Sequence, residues 1–192
     1  MRPTDVLSKD LGILASEFHV TIDPSEPQTT GVLKMTVQDA LYQMITISDN
    51  NAALLLTDKI KVSTIATFLQ KNGFSQSKVG THGEDPTTTP SDISLFFEKL
   101  YKGDLANSTQ TNNMLTLLKQ QRLNEKLPVN LPDNISIAHK TGEIEDYSHD
   151  AGIVYSPHGD YCIVVLTESD DTDAVKGRIA GISEAAYNYF NP

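Results

Sequence analysis

A single cysteine, Cys162, stands in 192 residues, so no disulfide closes within the chain and the redox compartment is left open. It lies between Tyr161 and Ile163 in an apolar, strand-like run, where it reads as a small buried hydrophobe rather than a nucleophile. Long apolar runs are missing as well. The longest, Ile163-Val164-Val165-Leu166, is strand-sized, far short of the ~20 residues that a bilayer span needs. Met1-Arg2-Pro3-Thr4-Asp5 contains no apolar signal core, so export is not read from it. Basic clusters are absent too: 15 Lys and Arg face 25 Asp and Glu, the net charge is -10, and a phosphate-backbone partner is excluded on that balance. No low-complexity run and no internal repeat interrupts the sequence. At 39% hydrophobic and 21% charged it is globular and long enough to bury a core without staples. Of histidines 19, 82, 139, 149 and 158, no two have the i, i+4 spacing of a helical zinc site, so no metal is expected.

The elements follow from periodicity and punctuation. Val6, Leu7, Leu11, Leu14 and Phe18 predict a first helix across 5–18, and His19-Val20-Thr21-Ile22 a short strand, before Pro24 and Pro27 break the chain into a loop. Thr36 offers an N-cap for a helix over 37–47 with Leu41, Met44, Ile45 and Ile47 on its apolar side. Helices over 50–60 and 62–71 follow, the last stopped by Asn72-Gly73, so this stretch reads as all-α. Phe74 to Pro90 is a polar, Gly- and Pro-broken loop. Ser91 caps a helix that ends at Lys102-Gly103, and 108–121 forms another. The period then changes to two: 135–141, 151–155 and 161–166 predict an antiparallel meander, and a last helix from Thr172 or Asp173 covers one of its faces. Helices followed by strands give an α+β fold, with a mainly helical region over 1–130 and a sheet region over 131–192 forming one structural domain.

Two short motifs sit on these elements. Ser48-Asp49-Asn50 closes one helix and opens the next, a use that these residues serve well as caps alone. Lys140-Thr141-Gly142 follows His139 on the first strand of the meander, where a solvated strand end is the plain alternative. The pair is another matter. In this order, one after a helix and one on a strand, with the threonine-rich Asp85-Pro86-Thr87-Thr88-Thr89-Pro90 between them, the sequence resembles the class A β-lactamases and penicillin-binding proteins over roughly residues 20 to 190. The resemblance implies a β-lactamase/transpeptidase-like fold and a serine hydrolase acting on β-lactams or related acyl-D-Ala-type amides, without a cofactor. It implies Ser48 and Lys140 as proton-relay and electrostatic residues facing one cleft. Asn50 would contact a substrate amide, Thr141 the substrate carboxylate, and Gly142 would keep the strand open to the ligand. It also implies a secreted or periplasmic protein.

Two departures qualify these expectations. The family's nucleophile lies in Ser-x-x-Lys about sixty residues before Ser-Asp-Asn; the 47 residues before Ser48 contain no such motif. Ser75-Gln76-Ser77-Lys78 falls on the far side of Ser48, in a loop that holds no Lys one turn from the Ser. The expectation is thus an N-terminally truncated serine hydrolase, with a catalytically silent binding or structural module as the alternative. Secondly, Glu84 is the one glutamate in the 74–90 loop, and Thr88 rather than Asn stands four residues on, so a deacylating Glu-x-x-x-Asn is missing. Glu143, Glu145, Asp146 and Asp150 read as acids that solvate a hairpin. In the resembled fold, N-terminal strands pair beside the strand that is 161–166 here. That edge is therefore expected to be covered by a second copy of the chain, a separate N-terminal piece, or a rearranged N-terminus.

Overall fold

The computed structural model describes every residue except Asp23, 25–27 and 81–84, together with the side chain of Thr172. The chain forms two compact units, Met1–Thr87 and Thr88–Pro192.

In the first unit, strand β1 (Val6–Asp10) leads directly into helix α1 (Leu11–Phe18), with Asp10 accepting the Ile13 N–H as N-cap. The continuous helix expected across 5–18 is therefore corrected in its first half. Strand β2 (Val32–Thr36) pairs antiparallel with β1, Leu7 opposite Met35 and Lys9 opposite Leu33. This strand pair, with α1 between its two strands, is an addition to the expected elements, and a signal for β2 was in the sequence: Leu33 and Met35 alternate with Lys34 and Thr36. The strand expected at 19–22 does not form, because His19 takes the left-handed conformation that caps α1, with its N–H bonded to Ala15 O.

Helix α2 (Val37–Thr46) starts at Thr36, whose hydroxyl accepts the Asp39 N–H, as its position before an apolar periodic run predicts. Helices α3 (Asn50–Ile60) and α4 (Val62–Lys71) fall where the periodicity placed them, and Gly73, at φ 82°, supplies the left-handed residue after α4. Leu7, Leu11, Leu14, Leu33, Val37, Ala40, Ala52, Leu55 and Leu56 form one core, drawn from the β1–β2 pair and α1 to α3. Beyond α4 the backbone of Lys78 bridges that of Thr87, so Ser75 and Lys78 stand on a turn and a bridge rather than on one helix. Glu84 and His82 lie outside the described residues.

The second unit opens with helix α5 (Pro90–Lys102). Its N-cap is Thr89 rather than Ser91, which leaves Pro90 at the first helical position, where a missing N–H does no harm. Helix α6 (Ser108–Leu118) is capped by Asn107 and stops short of 121; there the buried Gln121 side chain accepts the Arg122 and Leu123 N–H groups and holds a turn. Strands β3 (Ser136–Ile144), β4 (Tyr147–Tyr155) and β5 (Tyr161–Glu168) make the expected antiparallel meander in the order β3-β4-β5. Among the described residues no strand pairs with the other edge of β5.

Helix α7 (Thr172–Phe190) brings Val175 and Ile179 onto Ile137, Val154, Ile163, Leu127 and Leu131 to close the second core. Alternation along β5 aims Ile163 into that core and Cys162 away from it; Cys162 is exposed, which corrects its reading as a buried hydrophobe. Among the described residues no helix is long and apolar enough to cross a membrane. The architecture is α+β, as the sequence indicated.

Candidate active site

The two motifs occupy one unit each. In the first unit, α2 ends at Ile47, and Ser48 turns the chain with φ 57°, a left-handed conformation that costs a residue bearing a Cβ about 1 kcal/mol or more. Asp49 is the N-cap of α3: its carboxylate accepts the Ala52 N–H at 2.7 Å, its own N–H donates to Gln43 O at 3.2 Å, and it is buried. Asn50 is the first residue of α3 and exposed, and Ser48 is half-buried. Asn51, which carried no expectation, is buried and donates from Nδ2 to Gln28 O at 2.8 Å, tying the start of α3 to the loop before β2. The capping role of this motif and its expected chemical role are compatible, since the cap fixes the backbone from which the Ser48 side chain projects.

In the second unit, the backbone register of β3 on β4 sets Lys140 opposite Ala151, Thr141 opposite Asp150 and Gly142 opposite His149. Lys140 is half-buried, donates from Nζ to Thr141 O at 2.7 Å, and has its pKa pushed down to about 8. Burial is the main cause; the neighbouring Lys126 ammonium adds to it and the Asp150 carboxylate opposes it. Such an amine exchanges protons near neutral pH, as an ordinary lysine does not. Thr141 is buried, and a Cβ built on Gly142 would meet the His149 side chain only at 3.7 Å, ordinary contact distance. The glycine that the strand pair demands is Gly152, where a Cβ would lie 2.4 Å from Ala138 O and 2.6 Å from His139 Cβ.

Beneath the motif runs a polar network that sequence reasoning missed. Asp150, read as a hairpin-solvating acid, is fully buried: Oδ2 accepts the Leu127 N–H at 3.1 Å and Oδ1 lies 2.9 Å from His139 Nδ1. A carboxylate only accepts, so that nitrogen carries the proton. His139 Nε2 stands 3.0 Å from Asn124 Oδ1. Lys126, 2% exposed, donates to His149 O at 3.1 Å and pairs with Glu143 Oε1 at 2.8 Å. That ion pair draws the Glu143 carboxyl below its usual range against the opposing effect of burial. Burial lowers the pKa of His149, whose Nδ1 accepts the Thr167 N–H at 3.0 Å and so stands unprotonated. No periodicity marks this network. The one available signal was a run of polar residues, His139, Ser148 and Asp150, at strand positions whose alternation turns them inward.

The model of the beta-lactamase enzyme family matches residues 12–190. A beta-lactamase from Streptomyces albus G is 25% identical over 169 residues, 80% of this chain and 54% of the relative, so the chain spans about half that relative's length. A beta-lactamase from Sphaerobacter thermophilus DSM 20745 superposes with a TM-score of 0.84 at 24% identity, over 99% of this chain and 74% of that one. A mutant of PBP-A, solved as an acyl-enzyme complex with penicillin G, superposes at 0.83 with 22% identity, over 99% of this chain and 73% of that one. The match across nearly the whole sequence, on a fold that sets Ser-Asp-Asn at the start of α3 and Lys-Thr-Gly on β3, places the chain in the beta-lactamase enzyme family, with its serine-hydrolase fold.

Proposed function

We propose that these 192 residues carry the proton-relay and carboxylate-recognition parts of a serine hydrolase site whose substrates are β-lactams or related acyl-D-Ala-type amides. Lys140 carries this reading. Its amine is half-buried on β3 and titrates at about 8, so it can give and take a proton at neutral pH beside Thr141, whose hydroxyl is assigned to the substrate carboxylate. Ser48 is assigned to the relay toward the leaving nitrogen and Asn50 to the substrate amide; Gly142 leaves the strand open to the ligand. The held, left-handed backbone at Ser48 supports a placed side chain there, because strain of this kind persists where the surroundings fix it. Acyl transfer needs an attacking oxygen beside its base. None of the first 47 residues forms a Ser-x-x-Lys, and Ser75 and Lys78 share no helix, so the nucleophile would come from outside this sequence.

The chain alone is therefore expected to bind penicillin G reversibly and to form no covalent adduct with it. Intact-protein mass spectrometry after incubation decides this: an unshifted mass is expected, and a stable adduct on any serine overturns the assignment. A double-mutant cycle of Ser48→Ala and Lys140→Met on penicillin G affinity tests whether both act on one substrate; strict additivity would count against it. The missing Ser-x-x-Lys also favours a second reading, a silent binding or structural module of this fold. Failure of the chain to bind penicillin G would support that reading.

A further inference from the structure

The Lys126 ammonium is the most deeply buried cation of the Lys-Thr-Gly region, yet its acidic partner is among the most exposed groups there: side-chain exposure is 3% for Lys126 and 54% for Glu143. One contact of Lys126, to the carbonyl of His149, the third residue of β4, is with the backbone and fixed. The other ends on a half-exposed carboxylate near the tip of the β3–β4 hairpin. A buried charge cannot be left without a counter-ion, but nothing in the electrostatics requires that the counter-ion belong to the chain. Glu143 also stands two residues beyond Thr141 on β3, so the two side chains share a face of the strand, one repeat of about 7 Å apart. Ser148, buried opposite Glu143 in the register, donates only a long 3.5 Å hydrogen bond to the same Oε1.

We propose that Glu143 is a resident anion on Lys126, which a ligand carboxylate arriving at Thr141 displaces, so that this glutamate sets how tightly carboxylate-bearing ligands are held. The inference rests on the assignment of Thr141 to a ligand carboxylate. In the unliganded chain Lys126 is satisfied by Glu143, and its partner is half in water, where release is cheap. When a carboxylate seats at Thr141, two anions compete for one buried ammonium. Either Glu143 swings to solvent and the ligand inherits the ion pair, or it stays and repels the ligand. Both effects weaken binding of acids and spare neutral ligands. The depressed pKa of Glu143 keeps it ionised, and so competing, throughout the neutral range.

Penicillin G and its methyl ester differ at the carboxylate alone, and calorimetric or NMR titration of the full chain with each separates the possibilities. In Glu143→Gln the acid is expected to bind about tenfold tighter than in the wild type, with the ester unchanged. Glu143→Asp, with its charge kept one methylene farther back, should fall between. A purely structural ion pair would lower stability in Glu143→Gln and leave the acid-to-ester ratio where it was; that unchanged ratio, in a wild type that prefers acid to ester, would overturn this proposal and leave the carboxylate assignment of Thr141 standing. If the wild type and both variants hold acid and ester equally, or bind neither, the assignment of Thr141 falls and this proposal falls with it.

Discussion

Asp49, within the Ser-Asp-Asn motif, and Asp150, paired opposite Thr141 of Lys-Thr-Gly, are both buried aspartates, and they are held by opposite means. Asp49 accepts the N–H of Ala52, three residues along its own helix. Asp150 accepts the N–H of Leu127, 23 residues away in sequence, and faces His139 across a strand pair. The first arrangement is a helix cap specified locally, within Asp49 to Ala52. The second exists only after the meander has formed and the segment from Gln121 to Leu131 has folded against it. The motif of the first unit thus rests on local backbone geometry, and that of the second on long-range polar contacts.

The comparison can be broken by truncating each aspartate in turn. Asp150→Ala removes the acceptor from two buried donors at once, and a loss of about 3–5 kcal/mol is expected, in the range for a buried network deprived of one member. Asp49→Ala removes one cap and should cost about 1 kcal/mol. Urea denaturation measures both. Similar losses for the two would show that the network under β3 is no more than a set of replaceable local contacts.

The same difference explains what the sequence disclosed. Helices α2 to α4 were legible because Thr36, Asp49 and Asn72-Gly73 announce their ends and an apolar face repeats between them. The meander was legible from its change of period, and the two motifs from their residues and order. The β1–β2 strand pair is hidden because Leu11 and Leu14 continue a helix-like spacing back to Val6 and Leu7, and five residues of strand weigh little against it. Lys126, Asn124, Asp150 and the pairing of Glu143 were out of reach for a different reason. A buried charge and a solvated one look alike in sequence, and only the register that sets Asp150 opposite Thr141 turns it inward.

Lys140 sharpens the comparison on the side of the second unit. Its pKa is about 8 in the fold against an ordinary 10.5, so the fold disfavours the charged amine. Below pH 8 the amine is charged in both states, and the penalty weighs fully on the native state. Between about 8 and 10.5 the unfolded chain binds the proton and the native state does not, so stability rises with pH across that window. Lys140→Met should accordingly be more stable than the wild type at pH 6 by roughly 2 kcal/mol, with the difference shrinking as pH climbs from 8 toward 10.5. Denaturation midpoints taken across pH 6 to 10 test it. A difference that stays constant with pH would mean that the amine is not held against its charge.

Ser48 offers the smallest and most specific test on the side of the first unit. The backbone there has φ 57°, in a region that a side chain enters only at a cost and glycine enters freely. Ser48→Ala and Ser48→Gly both delete the hydroxyl, so whatever that oxygen contributes is lost equally from the two variants. They differ in the Cβ alone. The alanine keeps the strain while the glycine relieves it, and the glycine surrenders part of that gain because its unfolded chain is freer. The balance should favour Ser48→Gly over Ser48→Ala by about 0.5–1 kcal/mol. Equal stability, or a more stable alanine, would show that the turn between α2 and α3 relaxes to an ordinary conformation once the hydroxyl is gone. In that case the serine side chain, and not the capped backbone around it, would be what holds the turn.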